Sequence, residues 1–224
     1  ASVCNTIDVL MSRVTGELSD EPGGVAANAR RFRYRGLACR AQQVGGHVAV
    51  AHHADDQLET MLMALGRGAG PAGLAGMRWR RPLDGDVALV RPFLDTRHGE
   101  LEDVCTAAGI TWRHDPTNDD MTAPRTRLRH EVAPILDALY PGVAERASGT
   151  ADLVMAAEAA LERVLSEEFG DASETSWPRE RLAALDAPLI ASGLRRAAVA
   201  LSPAARGKLQ SVSLFEAAIA IRDD

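Results

Sequence analysis

Short apolar runs alternate with amphipathic stretches through the first half of the chain. The runs at residues 7–10, 48–50 and 87–90 have the length and composition of buried strands. Residues 25–43 and the stretch after residue 53 instead carry apolar side chains at helical spacing. The order strand, helix, strand, helix is typical of βαβ units, so the pattern predicts an α/β fold with a parallel sheet.

The pattern changes after Pro141 and Gly142, where alanine-rich helical spacing replaces the alternation. Helices are predicted at residues 143–169, 179–185, 187–200 and 204–221, with a polar break at 171–176. The sequence therefore predicts two domains, an α/β domain at residues 1–142 and an α-helical domain at residues 143–224.

Composition narrows the class of protein. The 224 residues carry a net charge of −6, which argues against indiscriminate nucleic-acid binding but leaves room for a local basic patch. No apolar run approaches the roughly 18 residues of a membrane helix, so we expect a soluble, cytoplasmic protein without membrane partners. Cys4, Cys39 and Cys105 are odd in number and far apart, which favours reduced thiols.

A polar cluster follows the apolar run at 48–50, at the predicted turn from strand to helix. Because ligands bind at the carboxyl ends of parallel strands, this cluster is a candidate site. Its carboxylates would suit Mg²⁺ or an ammonium group, since hard cations take oxygen ligands. Its members are His52, His53, Asp55, Asp56 and Glu59. An equally good alternative is structural: Asp55 or Asp56 caps the helix, Glu59 completes a capping box and the histidines are polar filler.

Arginines are concentrated in two predicted helices. The first, at 25–43, has five arginines and no acidic residue, and the second, at about 123–136, has Arg125 and Arg129 at i, i+4. The arginines of both helices could bind phosphate groups. The alternatives are a solvated basic face in the first helix and neutralisation by Glu131 in the second. The glycine-rich segment 66–76 between them could approach a phosphate through backbone amides, although such segments are more often simple loops.

Four ordered motifs give the chain a family resemblance. They are ANARRFRY at 27–34, AHHADDQLET at 51–60, RGAGPAGLAGM at 67–77 and DPTNDDMTAPRTRLRHEV at 115–132. Together they resemble the tRNA(Ile)-lysidine synthase family of N-type ATP pyrophosphatases, over roughly residues 1–142. The resemblance implies a Rossmann-type PP-loop domain of the adenine-nucleotide alpha-hydrolase kind, followed by a helical domain.

The resemblance also implies a reaction and its participants. The family uses Mg²⁺ and ATP to adenylate C2 of the wobble cytidine of tRNA(Ile), and L-lysine then displaces AMP to form lysidine. By position in the motifs, Asp56, Glu59 and His52 are the expected catalytic residues, with Asp55 and Asp56 as candidate Mg²⁺ ligands. Nucleotide or substrate contacts are expected from Arg30, Arg33, His53, Asp55 and Arg67. Contacts with tRNA are expected from Arg125, Arg127, Arg129 and His130, and a homodimer is a further expectation.

The sequence departs from the family pattern in two places. The family's phosphate-binding loop SGG-x-DS is absent from the 224 residues, and Thr126 stands where the family has asparagine. Matching outward, residues 4–10 correspond to the family's third strand, so we expect a fragment whose loop precedes Ala1 and whose chain alone is inactive. The alternative is a non-catalytic tRNA-binding or interaction protein that has lost the loop.

Overall fold

The computed structural model describes residues 9–17, 22, 24–113, 115–171, 174–202, 209 and 211–223. Cys4, Gly23 and the start of the last predicted helix, at 204–208, lie outside the described residues. The strand candidate at 7–10 lies partly outside them, and its described residues, Val9 and Leu10, have no regular secondary structure.

The described elements follow the predicted order closely. In the first half they are α1 (Gly24–Val44), β1 (Val48–Ala49), α2 (Ala54–Gly66), α3 (Pro71–Leu74), β2 (Arg80–Asp84), β3 (Val87–Val90), α4 (His98–Ala107) and a 3-10 helix (Pro116–Asp119). They continue with α5 (Pro124–Arg127), a π-helix (Leu128–Val132), α6 (Ala133–Leu139), α7 (Val143–Phe169), α8 (Arg179–Ala183), α9 (Ala187–Leu201) and α10 (Ser211–Asp223). The bounds predicted for β3 and α7 are confirmed.

The described chain divides into two units. The first is drawn from residues 1–56 and 78–127, and the second from residues 57–77 and 128–224. The division falls inside α2, whose first turn belongs to the first unit. The domain boundary predicted at residue 142 stays a prediction.

The sheet of the first unit is mixed, in the order β1-β3-β2. β1 pairs with β3 in parallel, as predicted, but β2 pairs with β3 antiparallel. The prediction of a parallel sheet is therefore confirmed for β1 and β3 and was wrong for β2. Only Gly85 and Asp86 separate β2 from β3, too short a link for the crossover that parallel strands need. Gly85 has φ +50°, a left-handed conformation that suits a tight hairpin turn.

The core of the first unit lies between α1 and the sheet. Ala41 of α1 packs against Val48, Val87 and Leu89, and Tyr34 covers the edge of this cluster. Leu89 of β3 is fully buried. Because β3 is the central strand, it also pairs with a neighbouring strand on each side. This packing fixes the positions of the carboxyl ends of β1 and β3 relative to α1.

The second unit is helical in its described part. Its core contains Phe169 at the end of α7, which is fully buried and contacts the Trp177 ring edge-on, with centroids 5.2 Å apart. Gly193 of α9 lies against the same ring, since a Cβ there would come within 2.4 Å of it. Ile190 and Ala218 form a neighbouring buried cluster that joins α9 to α10.

The predicted basic helix near 123–136 is interrupted by the five-residue π-helix at Leu128–Val132. Pro134 follows in the first turn of α6. Proline has no amide proton and its ring clashes with the carbonyl four residues earlier, so regular α-helical bonding cannot run through this point. Within the described ranges, no helix has both the length and the apolar character of a bilayer-spanning segment.

Candidate functional site

The polar cluster predicted at residues 52–59 follows a strand and opens a helix. β1 lies beside β3, and the Val50 amide continues their pairing by donating to the Val90 carbonyl at 3.0 Å. His53 forms a further parallel bridge with Phe93. The two histidines therefore lie at the carboxyl end of β1, the side on which open α/β sheets bind ligands.

His53 and Asp56 form a reciprocal cap at the start of α2. The His53 amide donates to the Asp56 carboxylate at 3.2 Å, and the Asp56 amide approaches Nδ1 of His53 at 3.4 Å. This arrangement is a capping box, and it stabilises the first turn. The capped helix start that the sequence offered as an alternative is therefore present, but with different partners. Asp56 rather than Glu59 completes the capping box, and His53 is the N-cap residue.

Asp55 connects the starts of two helices of the first unit. Its carboxylate accepts a 2.8 Å hydrogen bond from the amide of His98, the first residue of α4, and lies 3.4 Å from Nδ1 of His53. The bond with His53 lowers the pKa of Asp55 to about 2, the His98 amide acts in the same direction, and partial burial opposes them. Asp55 is therefore ionised at neutral pH.

Asp56 also pairs with an arginine far away in the chain. Arg125 Nη2 lies 2.9 Å from Asp56 Oδ1. The carboxylate side chain is 12% exposed and the guanidinium 37% exposed. Because the acid is nearly buried, this partner and the cap offset the cost of its desolvation. The contact joins two of the four motifs within the first unit.

Glu59 and Arg129 form a forked ion pair in the second unit. Arg129 Nε lies 2.6 Å from Glu59 Oε1, and Nη2 lies 3.2 Å from Oε2. The Glu59 side chain is 1% exposed and Arg129 is 37% exposed. Two parallel charge-assisted bonds fix the orientation of both groups. Arg129 belongs to the π-helix, an irregularity that occurs frequently at functional sites.

His52 is half-buried and meets a buried arginine that sequence reasoning missed. Arg91, 4% exposed, donates from Nε to His52 Nδ1 at 3.3 Å. Burial lowers the pKa of His52 to about 4; Asp56 opposes this shift, whereas Arg91, Arg30 and Arg125 add to it. His52 is therefore neutral at pH 7. The available signal was an arginine placed directly after the apolar run VALV of β3.

Three arginines surround one tyrosine ring in the first unit. The guanidinium carbons of Arg30, Arg33 and Arg81 lie 5.1, 5.7 and 5.7 Å from the centre of the Tyr34 ring. These distances are within cation–π range. We call this group the Tyr34 arginine cluster. Arg30 and Arg33 were predicted from the motif, whereas Arg81 was missed because its strand was not predicted.

The other predicted site residues lie in less enclosed positions. Arg67 is exposed in the turn that ends α2. Arg127, at the end of α5, and His130, in the π-helix, are both exposed. Thr126 is buried, with 9% of its surface accessible. The roles assigned to these residues stay predictions.

The glycine-rich segment of the second unit forms a short helix and a side-chain clamp rather than an open loop. After α3, the side chain of Gln57 accepts from the Met77 amide at 2.7 Å and donates to the Met77 carbonyl at 3.1 Å. Gly76 has φ +62° and lies directly under Gln57, where a Cβ would approach the amide group within 2.7 Å. Glycine is required here for close packing.

The carboxylates do not form a ready Mg²⁺ cage. Among the described residues, no three His, Cys, Asp or Glu side chains gather in a metal-binding arrangement. Asp55 accepts from His98, and Asp56 already accepts from Arg125 and His53. An octahedral cation would have to replace these donors, so the residues present do not fit a preformed Mg²⁺ site.

Comparison with known proteins places the chain in a class. The chain belongs to the PP-loop domain family, whose model matches residues 2–136. This range contains the small mixed sheet, the capped helix and the Tyr34 arginine cluster. The α/β class predicted for this half is confirmed.

The chain is also similar to individual tRNA(Ile)-lysidine synthases. The tRNA(Ile)-lysidine synthase of Salinispora tropica is 40% identical over 195 residues, which cover 86% of this chain and 54% of the relative. That of Salinispora arenicola is 45% identical over 65% of this chain and 44% of its own length. That of Escherichia coli O157:H7 is 35% identical over 88% of this chain and 44% of its own length. The chain thus spans about half the length of these relatives.

Proposed function

We propose that the protein carrying this chain is an ATP-dependent ligase that joins L-lysine to C2 of the wobble cytidine of tRNA(Ile). The observation that carries the proposal is the contact between Asp56 and Arg125, at 2.9 Å. It joins residues 69 positions apart, in two of the four motifs that give the chain its resemblance to the lysidine synthases. Glu59 and Arg129 link the same two motifs within the second unit.

ATP would supply the adenylyl group that activates C2, and the Tyr34 arginine cluster is the best place for its phosphates. Helix α1 contains no acidic residue, and no ion pair of Arg30, Arg33 or Arg81 with a carboxylate is found in the described part of the chain. Guanidinium groups that lack local anions suit a polyanionic ligand. They would stabilise negative charge that develops on the transferred phosphate. No step is assigned to Mg²⁺.

Asp56 and Glu59 are the proposed contacts for the lysine substrate. Each carboxylate has about four lone-pair positions, and the fork from Arg129 uses two on Glu59. A lysine ammonium group would be a further donor to these carboxylate oxygens. Both carboxylates are therefore oriented by their arginines before the substrate arrives.

The tRNA contacts are proposed on α5 and the π-helix. Arg125 and Arg129 face carboxylates, so we assign them chiefly to positioning Asp56 and Glu59. Arg127 and His130 are exposed and are the better candidates for phosphate contacts. Arg67 and His53 keep their predicted nucleotide roles, although His53 also caps α2. Cytoplasmic location and a homodimer are further proposals from the sequence.

The experiment uses radiolabelled lysine and a tRNA(Ile) transcript with the protein as its gene encodes it. Label should enter the transcript only when ATP is present. A transcript with uridine at the wobble position should remain unlabelled. Label that enters both transcripts equally, or none in either, would refute the proposal.

A second function has a specific observation in its favour. The motif SGG-x-DS is not among the 224 residues, and we infer that a protein without it anywhere would bind tRNA without catalysis. We expect the 224-residue chain alone to incorporate no lysine. The coding sequence upstream of Ala1 separates the two readings, because an in-frame SGG-x-DS supports the ligase and a start codon without it supports the binding protein.

A further inference from the structure

Arg91 is a buried arginine that no part of the proposed mechanism uses. It follows β3, and 4% of its surface is accessible. Its amide donates to the Trp79 carbonyl at 2.9 Å and its Nη1 donates to the Arg78 carbonyl at 2.5 Å. The first bond fixes the main chain of Arg91, and the second anchors its guanidinium to a backbone carbonyl of the adjacent chain segment. A buried arginine needs such partners to offset its desolvation.

The Nε donor of this guanidinium determines the protonation of a neighbouring histidine. Arg91 Nε donates to His52 Nδ1 at 3.3 Å. Arginine is a donor only and keeps its proton, so Nδ1 of His52 must be the acceptor. A neutral imidazole has one proton, and it must then be on Nε2.

Burial, together with the surrounding arginines, keeps the His52 ring neutral. Arg91, Arg30 and Arg125 disfavour an imidazolium, and only Asp56 among the interacting groups favours it. Burial acts in the same direction as the arginines, and together they lower the pKa of His52 to about 4. At neutral pH the ring is therefore uncharged, and its single proton has one available position.

We propose that Arg91 is a positioning residue that fixes His52 as the Nε2–H tautomer, so that His52 offers a hydrogen-bond donor to its ligand. The ligand group that this geometry recognises is an acceptor oxygen, either a carbonyl or a phosphate oxygen. His52 held in this form cannot take a proton at Nε2 and is not a general base there. The tautomer assignment is independent of the proposed function, and only the identity of the acceptor rests on it.

Nitrogen NMR on the protein labelled with ¹⁵N-histidine tests the assignment directly. The chain has six histidines, and the spectrum of His52→Gln identifies the His52 signals by their loss. At pH 7 we expect an unprotonated Nδ1 and a protonated Nε2. A proton on Nδ1, or a doubly protonated ring at pH 7, would overturn the proposal.

Two variants separate a positioning role from a structural one. Arg91→Met removes the donor, and we expect the His52 proton to redistribute between the two ring nitrogens and the ring to titrate at higher pH. Arg78→Met is the matched control, because only the backbone carbonyl of Arg78 is used, and its His52 signals should match the wild type. An unchanged tautomer in folded Arg91→Met would contradict the proposal. If Arg91→Met does not fold, the His52 tautomer measured by NMR in the wild type decides whether the proposal holds.

Lysine incorporation tests separately whether His52 acts as a hydrogen-bond donor through Nε2. The amide nitrogen of glutamine can replace Nε2 of histidine, whereas that of asparagine replaces Nδ1. We expect His52→Gln to retain about tenfold more kcat/KM than His52→Asn, the size of one hydrogen bond. Equal or reversed activities would refute the donor role. If the wild type incorporates no lysine, the proposed function fails while the tautomer result stands.

Discussion

At the scale of the residue, capping and ligand binding are not exclusive roles for the acidic helix start. Asp56 completes the capping box with His53 and also pairs with Arg125. Sequence spacing was sufficient to predict that these groups gather at a strand-to-helix turn. It could not predict their partners, because Arg125 and Arg91 reach the cluster only through the tertiary fold. Local pattern determines the position of a side chain, and its partner depends on chain segments far away.

Acid should weaken the fold in two separate ranges of pH. The pKa of His52 is about 4 in the fold against 6.5 unfolded, so the unfolded chain binds the extra proton and stability falls from pH 6.5 to 4. The pKa of Asp55 is about 2 against 3.8, so its contribution is lost between pH 3.8 and 2. Urea denaturation at stepped pH measures both. His52→Gln should flatten the upper range only, and an unchanged profile in that variant would contradict the assignment.

Removing Arg129 should destabilise the second unit. Arg129→Met takes the forked partner from Glu59, whose side chain is 1% exposed. We expect a loss of about 1–3 kcal/mol in the free energy of unfolding, at the low end because Arg129 itself is partly solvated. Urea denaturation at pH 7 gives the value. Adding Glu59→Gln should recover part of the loss, and a purely additive double variant would show that the pair is not coupled.

The exposed arginine of the basic segment should contribute to tRNA affinity through phosphates. Arg127→Gln should weaken tRNA binding and reduce the slope of log K against log salt by about 1. Arg163→Gln on α7 is the control, since it removes the same charge from an exposed position outside the four motifs. A slope that is unchanged by Arg127→Gln would exclude this residue from the phosphate contacts.

At the scale of the element, periodicity predicted the helices well and the sheet poorly. α7 and β3 have the predicted bounds. β2 was missed because its sequence RRPLD is charged and contains proline, features that are tolerated at a sheet edge and do not produce an apolar run. The π-helix was missed because it follows from backbone hydrogen bonding. Pro134 prevents regular α-helical bonds to the carbonyls of the preceding turn, and the spacing of apolar side chains does not indicate this.

The glycine-rich segment permits a matched pair of substitutions. Gly76→Ala introduces a Cβ within 2.7 Å of the Gln57 amide at a residue with φ +62°, so backbone strain and a displaced clamp act together. Gly68→Ala has φ +66° with nothing within 4 Å, so only backbone strain acts. We expect losses of about 2–4 kcal/mol and about 1 kcal/mol respectively in unfolding free energy. Equal losses from thermal or urea unfolding would show that the Gln57 clamp contributes nothing.

At the scale of the whole molecule, the ordered motifs were sufficient to predict the family, whereas the reaction stays a proposal. The PP-loop domain match covers residues 2–136. The lysidine synthases of Salinispora tropica and Escherichia coli O157:H7 share 54% and 44% of their own lengths with it. The sequence could predict candidate acidic and basic groups because they lie in short motifs, and their roles stay predictions. Sequence alone does not establish the division into units, because this depends on contacts between distant segments.

The most direct measurement of the central claim compares lysine use with tRNA binding in Glu59→Gln. In the protein as its gene encodes it, the KM for lysine should rise about tenfold or more, since a charge-assisted contact with the ammonium group is lost. The Kd for tRNA(Ile) should stay within about twofold, because a neutral amide at this buried position leaves the basic surface unchanged. Glu131→Gln, at an exposed acid of the π-helix, should change neither value. An equal loss of lysine use and tRNA binding in Glu59→Gln would contradict the account.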